Sequence, residues 1–377
     1  MAAPISPSET LVMPVNIPNR GRALVAIRDI RAGEILLSDS PLLLYPAAFS
    51  SSPASSFCSL CFRSLLSVRI PCPSCPSSAF CSVRCLSTAL CSSHGPSICR
   101  ALAALPPVHD PELRAQCYFL LAAYALSLTS PDNFYLLLSL DGGDAASAHP
   151  EAIALHALIA PVTGFSLEVT TSLIAKDKRN AFGLMEPFRL EDGGERRVRA
   201  YGIYPSASFF NHDCLPNACR FDYLDRDGDD NSKITVRAIF DIPKGREVCL
   251  SYFPVNWGYK ERQERLMEDY GFQCNCDRCE VEKNWKDEEE EGMDDDNDEV
   301  GEMEDSEENE NVDFPHAYFF VRYVCDQEDC GGTIAPLPPS PKGTLSDVME
   351  CNVCGQLKKE EGFGGHGSDS EFGAMID

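Results

Sequence analysis

The sequence predicts an α+β fold in which short strands near both ends bracket a helical middle. Three observations carry this reading. The segments "AIRDIRAGEILL" (Ala26 to Leu37) and "AIFDIPKGREVCL" (Ala238 to Leu250) echo each other, and each reads as strand, tight glycine turn, strand. The run "ACRFDYLDRDGDDNSKITVRAIF" alternates on both sides of an Asp/Gly/Asn turn, which predicts a hairpin from Cys219 to Phe240. Leu113 to Leu140 and Glu151 to Ala175 carry apolar stripes at helical spacing, separated by "DGGDAASAHP". "GYKERQERLMEDYG" (Gly258 to Gly271) adds an amphipathic helix stopped by glycine. At 377 residues and 44% apolar content the chain has room for two or three domains and a sizeable core.

The formal net charge of −26 is unevenly spread. Asp287 to Asp313 holds 17 acidic residues and no basic one, so the remainder carries about −9. Such a run cannot bury enough apolar surface to offset its ordering entropy, and it is expected to be disordered. It reads as a solubilising linker or as a docking strip for a basic partner such as a histone tail. No Lys/Arg stripe points to direct nucleic-acid binding. Met1 to Asn19, with four prolines and no apolar core, does not read as a secretory signal. Cys117 to Leu128 is too short to span a bilayer and reads as a buried helix. The expectation is a nuclear or cytoplasmic protein, away from membranes. In that setting its 19 cysteines stay reduced, and clustered ones point to zinc before disulfides.

The cysteines fall into groups. "FCSLCFRSLLSVRIPCPSCPSSAFCSVRCLSTALCSSHGPSIC" supplies Cys58, Cys61, Cys72, Cys75, Cys81, Cys85, His94 and Cys99, eight ligands and enough for two tetrahedral zinc sites. The segment has few large apolar residues, so metal must replace a core. It resembles a MYND zinc finger from end to end. That resemblance implies interleaved sites, with Cys58, Cys61, Cys81 and Cys85 on one ion and Cys72, Cys75, His94 and Cys99 on the other. Cys91 is an extra thiol able to compete with His94. MYND fingers recruit protein partners rather than catalyse. "GFQCNCDRC" gives Cys274, Cys276 and Cys279, one ligand short of a closed site, and Cys214 in "FFNHDCLPNA" is the candidate fourth. Cys325, Cys330, Cys351 and Cys354 form a last group, with glycine after its second and fourth members as in a zinc ribbon; the alternative is four unliganded thiols. The expectation is three zinc ions, with a fourth if this ribbon closes. Cys117, Cys219 and Cys249 read as core.

The pieces "NRGRALVA", "RNAFGL", "GIYPSASFFNHDCLPNA", "GREVCLSYF" and "YGFQCNCDRC" appear in the order found in SET-and-MYND type protein-lysine methyltransferases, and from about Asn19 to Cys279 the chain resembles that family. The resemblance implies a SET-domain β-fold, in which the segment before the Asn-His pair threads beneath a loop, with an inserted MYND finger. The implied organisation is an N-terminal SET part (10–50), the finger (58–99), a helical insert (100–178), a C-terminal SET part (179–255) and a cysteine-rich post-SET (256–282). An acidic linker (283–313), a cysteine-rich ribbon (314–358) and a disordered tail (359–377) follow. Where many relatives continue into a long C-terminal helical-repeat domain, the acidic run and the cysteine ribbon follow here, so a more open substrate groove is expected.

The same resemblance assigns roles. Asn211 and His212 match the pair that binds S-adenosylmethionine, flanked by Ser208 and Phe210. Arg20, Gly21 and Arg22 match the loop at the cofactor's carboxylate end, and Asn180 a second contact there. Tyr270 and Phe272 fall where aromatic residues cover the adenine. Tyr252 matches the active-site tyrosine, and Tyr204 is placed in the lysine channel. Alone, Tyr252 would read as a core residue and His212 as a buried histidine bonding its own loop; the company of five ordered motifs overturns the first. Ala23 stands where relatives often carry glycine, and its methyl is expected to narrow the cofactor's approach. The implied function is transfer of methyl groups to lysines of histones or other proteins by a monomer. The alternative is a non-catalytic zinc-dependent interaction scaffold with an inactive SET domain.

Overall fold

The computed structural model describes residues 10–18, 20–47, 56–66, 68–143, 150–189, 197–226, 228, 230–285 and 316–359. The acidic run and the C-terminal tail lie outside the described residues, apart from 283–285 and 359 at their edges.

The chain opens with strands β1 (Val12–Ile17), β2 (Gly21–Ala26), β3 (Ile35–Asp39) and β4 (Leu43–Pro46). The cysteine-rich finger follows with β5 (Ile70–Pro71), β6 (Ala79–Phe80), α1 (Val83–Cys91) and α2 (Pro96–Ala104). Both long helical stretches read from the sequence are broken in two. The first becomes α3 (Pro111–Thr129) and α4 (Pro131–Ser139). Asp110 caps α3 by accepting from the backbone N–H groups of Glu112 and Leu113, and Pro131 ends it because proline has no N–H to donate. The second becomes α5 (Pro150–Thr163) and α6 (Leu167–Asn180), bent by 113°. Gly164 takes the left-handed φ of +71° there, and Ser166 caps the restart. Among the described residues no single helix is long and apolar enough to cross a membrane.

The chain then returns to strands: β7 (Ala181–Met185), β8 (Val198–Ile203), β9 (Asn211–His212), β10 (Ala218–Asp222), β11 (Ile234–Ala238) and β12 (Glu247–Leu250). Helices α7 (Tyr259–Arg265), α8 (Asp277–Glu282) and α9 (Ala317–Tyr323) precede the final strands β13 (Ile334–Pro336), β14 (Val348–Cys351) and β15 (Leu357–Lys359). Three small sheets build the body, in orders β1-β2-β12-β9, β10-β11-β3 and β4-β8-β7. The hairpin read from the sequence is β10–β11, with Asp222 opposite Ile234. β9 runs parallel to β12, setting Asn211 beside Cys249 and His212 beside Leu250.

The two echoing segments pair with each other about a local two-fold. Ile30 and Ile242 exchange both backbone hydrogen bonds. Gly33 N–H donates to Ala238 O, and Gly245 N–H donates to Ala26 O. Asp29 accepts from Lys244 N–H, and Asp241 accepts from Ala32 N–H. Each turn needs its glycine, with φ of +79° at Gly33 and +82° at Gly245.

Apolar burial follows this plan. One cluster fills the strand body around Ile30, Leu184, Tyr204, Val236 and Val248. A second joins α3, α5 and α6 to β4 around Phe119, Leu120, Leu155 and Leu173. A third welds the C-terminal ribbon to β10 and β11 through Phe221, Ile239, Val255, Phe319 and Ile334. Cys117, Cys219 and Cys249 are buried, as expected of core thiols.

Candidate active site and metal centres

The sheet β1-β2-β12-β9 forms one wall of a cavity of about 470 Å³, within the range of small-molecule sites. The turn before β2 supplies Arg20, and the start of β2 supplies Gly21 and Arg22. The end of α6 supplies Arg179 and Asn180, and β9 supplies Asn211 and His212. Tyr252 follows β12, while Tyr270, Phe272 and Cys274 come from the segment after α7. Ser208 also lines it.

Most sequence-predicted site residues therefore meet in one place. Two do not. Tyr204 is fully buried in the strand core, and its hydroxyl donates to Ser232 O at 2.5 Å; it does not line the cavity, so the channel role is corrected. Phe210 turns its ring into the core and offers its carbonyl instead. Ala23 is fully buried and outside the lining, so its methyl does not narrow the cavity. Gly21, at φ +71°, has nothing within 4 Å of where a Cβ would stand, which leaves the cavity floor open. Asn16, Asp141, Arg179, Gln273 and Asn275 line the cavity but were missed, while Cys274, read as a metal ligand, lines it too. For Arg179 the signal was present, as the residue before Asn180 in the quoted "RNAFGL".

The polar end is tightly ordered. Asn180 Nδ2 donates to Asp141 O at 2.7 Å and to Lys176 O at 2.8 Å. Asn211 Nδ2 donates to Glu247 Oε1 at 2.8 Å and reaches Arg20 O at 3.3 Å. Both amide groups thus spend their donors on protein acceptors and keep their oxygens free. Arg20 is held within the protein: Nε lies 2.7 Å from Glu247 Oε2, and Nη2 donates to His212 O at 3.1 Å. Arg22 stacks over Phe209, 5.0 Å from its centroid.

The aromatic end is built around Tyr252. Its ring packs on Tyr270 at 4.7 Å and on His212 at 5.2 Å between centroids. Its hydroxyl donates to Phe210 O at 2.9 Å. Burial, then the neighbouring Tyr270, push the phenol's pKa well above its usual value, so the proton stays on. His212 Nδ1 accepts from Tyr252 N–H at 3.2 Å. That fixes the proton on Nε2, which faces Cys214 Sγ at 3.3 Å. Burial pushes this imidazole down to about 3, so it is neutral at ordinary pH.

Four cysteine-rich clusters bring their ligand atoms within 4.8 Å of one another: Cys58, Cys61, Cys81 and Cys85; Cys72, Cys75, His94 and Cys99; Cys214, Cys274, Cys276 and Cys279; and Cys325, Cys330, Cys351 and Cys354. Tetrahedral zinc with bonds of about 2.3 Å requires sulfurs roughly 3.8 Å apart. The pairs Cys61–Cys81 at 3.7 Å, Cys72–Cys99 at 3.8 Å, Cys214–Cys274 at 3.9 Å and Cys325–Cys354 at 3.7 Å fit. His94 Nε2 lies 3.3 Å from Cys75 Sγ, while Cys91 is exposed and outside the cluster. Each cluster fills all four positions with protein atoms, which suits structural zinc rather than a reacting metal. The third also has donors aimed at its thiolates, from Gln263 Nε2 to Cys279 at 3.2 Å and from buried Arg262 at 3.7 Å. Cys274 belongs both to that cluster and to the cavity wall.

Residues 21–253 match the SET domain family. Histone-lysine N-methyltransferase ASHR2 of Arabidopsis thaliana is 47% identical over 94% of this chain and 96% of its own length. Histone-lysine N-methyltransferase SMYD3 of Homo sapiens is 26% identical over 70% of this chain, which spans 60% of that protein. Among solved structures, Rubisco LSMT bound to AdoMet is 13% identical over 72% of this chain and 53% of its own, with a TM-score of 0.33.

Proposed function

The chain belongs to the SET-domain family, and from that membership we propose that it is an S-adenosylmethionine-dependent protein-lysine N-methyltransferase. The observation that carries the reading is a single cavity in which two carboxamide oxygens and flanking arginines face an aromatic end built on a buried tyrosine. Such a cavity fits a ligand with an amino-acid end and a flat base. The substrate is a protein lysine. The narrower reading is a histone tail, supported by the name of the relative that is 47% identical, and it places the work in the nucleus.

When bound, S-adenosylmethionine would supply an electrophilic methyl on its sulfonium, transferred in line to the neutral lysine nitrogen with S-adenosylhomocysteine as the leaving group. The protein's tasks are to align the two reactants and to favour the uncharged amine. Alignment of this kind contributes roughly 7–11 kcal/mol to such reactions. Asn180 and Asn211 would accept from the ligand's ammonium, and Arg22, with Arg179 partly balanced by Asp141 Oδ2 at 3.2 Å, would bring positive charge to its carboxylate. Arg20 is committed to Glu247 and His212 and serves the wall rather than the ligand. Tyr270 and Phe272 flank the base. Tyr252 keeps its proton and donates it to Phe210 O, so its oxygen lone pairs remain to orient the amine. It acts as a fixed dipole and not as a base. Desolvation of the amine on burial would disfavour an ammonium ion, which helps the lysine lose its proton. Zinc in the Cys214 cluster would hold His212 and Cys274 against the cavity.

Incubation with labelled S-adenosylmethionine and mixed histones or cell extract tests the reading. Transfer is expected from the wild type. Tyr252→Phe is expected to bind S-adenosylhomocysteine within about threefold of wild type and to lose turnover by about a hundredfold or more. Absence of both transfer and cofactor binding in the wild type supports the scaffold reading instead. Unchanged turnover in Tyr252→Phe removes Tyr252 from the chemistry.

A further inference from the structure

Glu247 occupies the first position of β12, the strand between β2 and β9. From there its carboxylate reaches both sides of the cavity's polar end. Oε2 lies 2.7 Å from Arg20 Nε, and Oε1 accepts from Asn211 Nδ2 at 2.8 Å. Its backbone is fixed as well: Glu247 O accepts from Asn217 Nδ2 at 2.8 Å, and Asn217 Oδ1 accepts from Cys249 N–H at 2.9 Å.

We propose that Glu247 is a positioning residue that sets the polarity of the cavity's amino-acid end, holding Asn211 oxygen-outward and keeping Arg20 out of ligand binding. A carboxylate only accepts hydrogen bonds, and so does the Arg20 carbonyl on the other side of Asn211 Nδ2. The Asn211 amide therefore has one satisfied orientation, with its NH2 group toward the protein and its oxygen toward the cavity. Asn180 reaches the same orientation against two backbone carbonyls. The ligand then meets two acceptors, which select a donor and favour a charged one. The second carboxylate oxygen neutralises Arg20, which would otherwise repel an ammonium group. Glu247 itself is absent from the cavity lining, so it acts through Asn211 and Arg20.

The near-isosteric Glu247→Gln isolates the effect. A carboxamide can accept from only one of the two donors and sets its own NH2 against the other. The guanidinium, being charged, takes the oxygen, and the NH2 group turns to Asn211. Asn211 then rotates to accept, and its own NH2 enters the cavity.

The inference rests on the cofactor reading, and calorimetry separates the two. Full-length, zinc-loaded protein is titrated with S-adenosylhomocysteine and with its analogue bearing hydrogen in place of the α-ammonium. Wild type is expected to prefer the ammonium-bearing ligand by about tenfold or more, the scale of hydrogen bonds to charged groups. Glu247→Gln is expected to lose most of that preference while binding the deaminated analogue as wild type does. The paired variant Glu247→Gln with Asn211→Asp restores an acceptor at position 211 and is expected to recover part of the preference. Zinc content and thermal unfolding verify that each variant is folded; if the pair fails to fold, the single variant decides. Equal losses for both ligands, or an unchanged preference, overturn the role of Glu247 and leave the cofactor reading intact. A wild type that binds neither ligand overturns both.

Discussion

The cluster at Cys214, Cys274, Cys276 and Cys279 and the cluster at Cys325, Cys330, Cys351 and Cys354 hold the same four sulfurs in the same geometry, yet they do different work. The first gathers ligands 60 residues apart in sequence, and two neighbours in its fabric, His212 and Cys274, face the cavity. The second closes within 29 residues and touches the rest of the protein through its surface. It is fastened there by Glu350, buried and bonded to Arg237 at 2.8 Å and to the Tyr223 hydroxyl at 3.0 Å. Arg237 lies in turn over the Phe221 ring, 3.5 Å from its centroid. The difference teaches that the job of a metal centre follows from what its loops carry, since the ligand set alone is the same in both.

Two experiments would break or sharpen that contrast, and a third probes the helix that carries Asn180. The largest effect is expected from Cys279→Ser. Structural zinc contributes on the order of 10 kcal/mol to the folding of the segments it closes. The variant should lose one zinc per chain and nearly all binding of S-adenosylhomocysteine, read by metal analysis and calorimetry. Retained binding would show that the cavity wall stands without its metal. Next comes Glu350→Gln, which leaves Arg237 buried without its charge partner. Such breaks cost about 3–5 kcal/mol, so thermal unfolding should fall sharply. S-Adenosylhomocysteine should still bind the folded variant within about twofold; a parallel loss of binding would erase the distinction between the clusters.

The smallest effect is expected on α6, one turn before Asn180. Burial raises the Asp177 carboxyl to about 7, although the Tyr45 hydroxyl donates to it at 2.5 Å and opposes the rise. The native state thus holds a proton that the unfolded chain releases near pH 4. Stability should therefore fall as pH rises from about 4 to about 7 and level off above. Asp177→Asn should flatten that slope, by at most about 4 kcal/mol across the window in denaturant titrations. An unaltered slope would mean that Asp177 does not titrate there.

Much of this site was legible because its motifs carry chemistry at fixed spacing. Cys214 could be matched to the trio at 274, 276 and 279 because three thiolates leave a tetrahedral site open. Asn211, His212 and Tyr252 followed from ordered motifs. What escaped depends on three-dimensional pairing. Tyr204 sits in a motif of the right composition, but its direction is set by packing against Phe182, 5.7 Å away between ring centroids. Asp141 enters the cavity through the fold of the helical insert, which periodicity does not report. The helix breaks at Pro131 and Gly164 were written in the sequence but hidden beneath continuous apolar stripes. The echo between the glycine turns was visible, whereas their pairing was not, because period-2 patterning does not say which strand is a partner.

That pairing has a consequence for how the chain is made. The Asp29 carboxylate and the Ile30 backbone pair with Lys244 and Ile242, with the zinc finger and the helical insert translated in between. In a growing polypeptide β3 and the turn before it stay unpaired until Ile234 to Lys244 have emerged, while the finger can already close around its ions. Contacts of such long sequence separation make folding slow. The early strands are exposed during that wait, so the enzyme's vulnerable moment lies in its own synthesis rather than in its finished form.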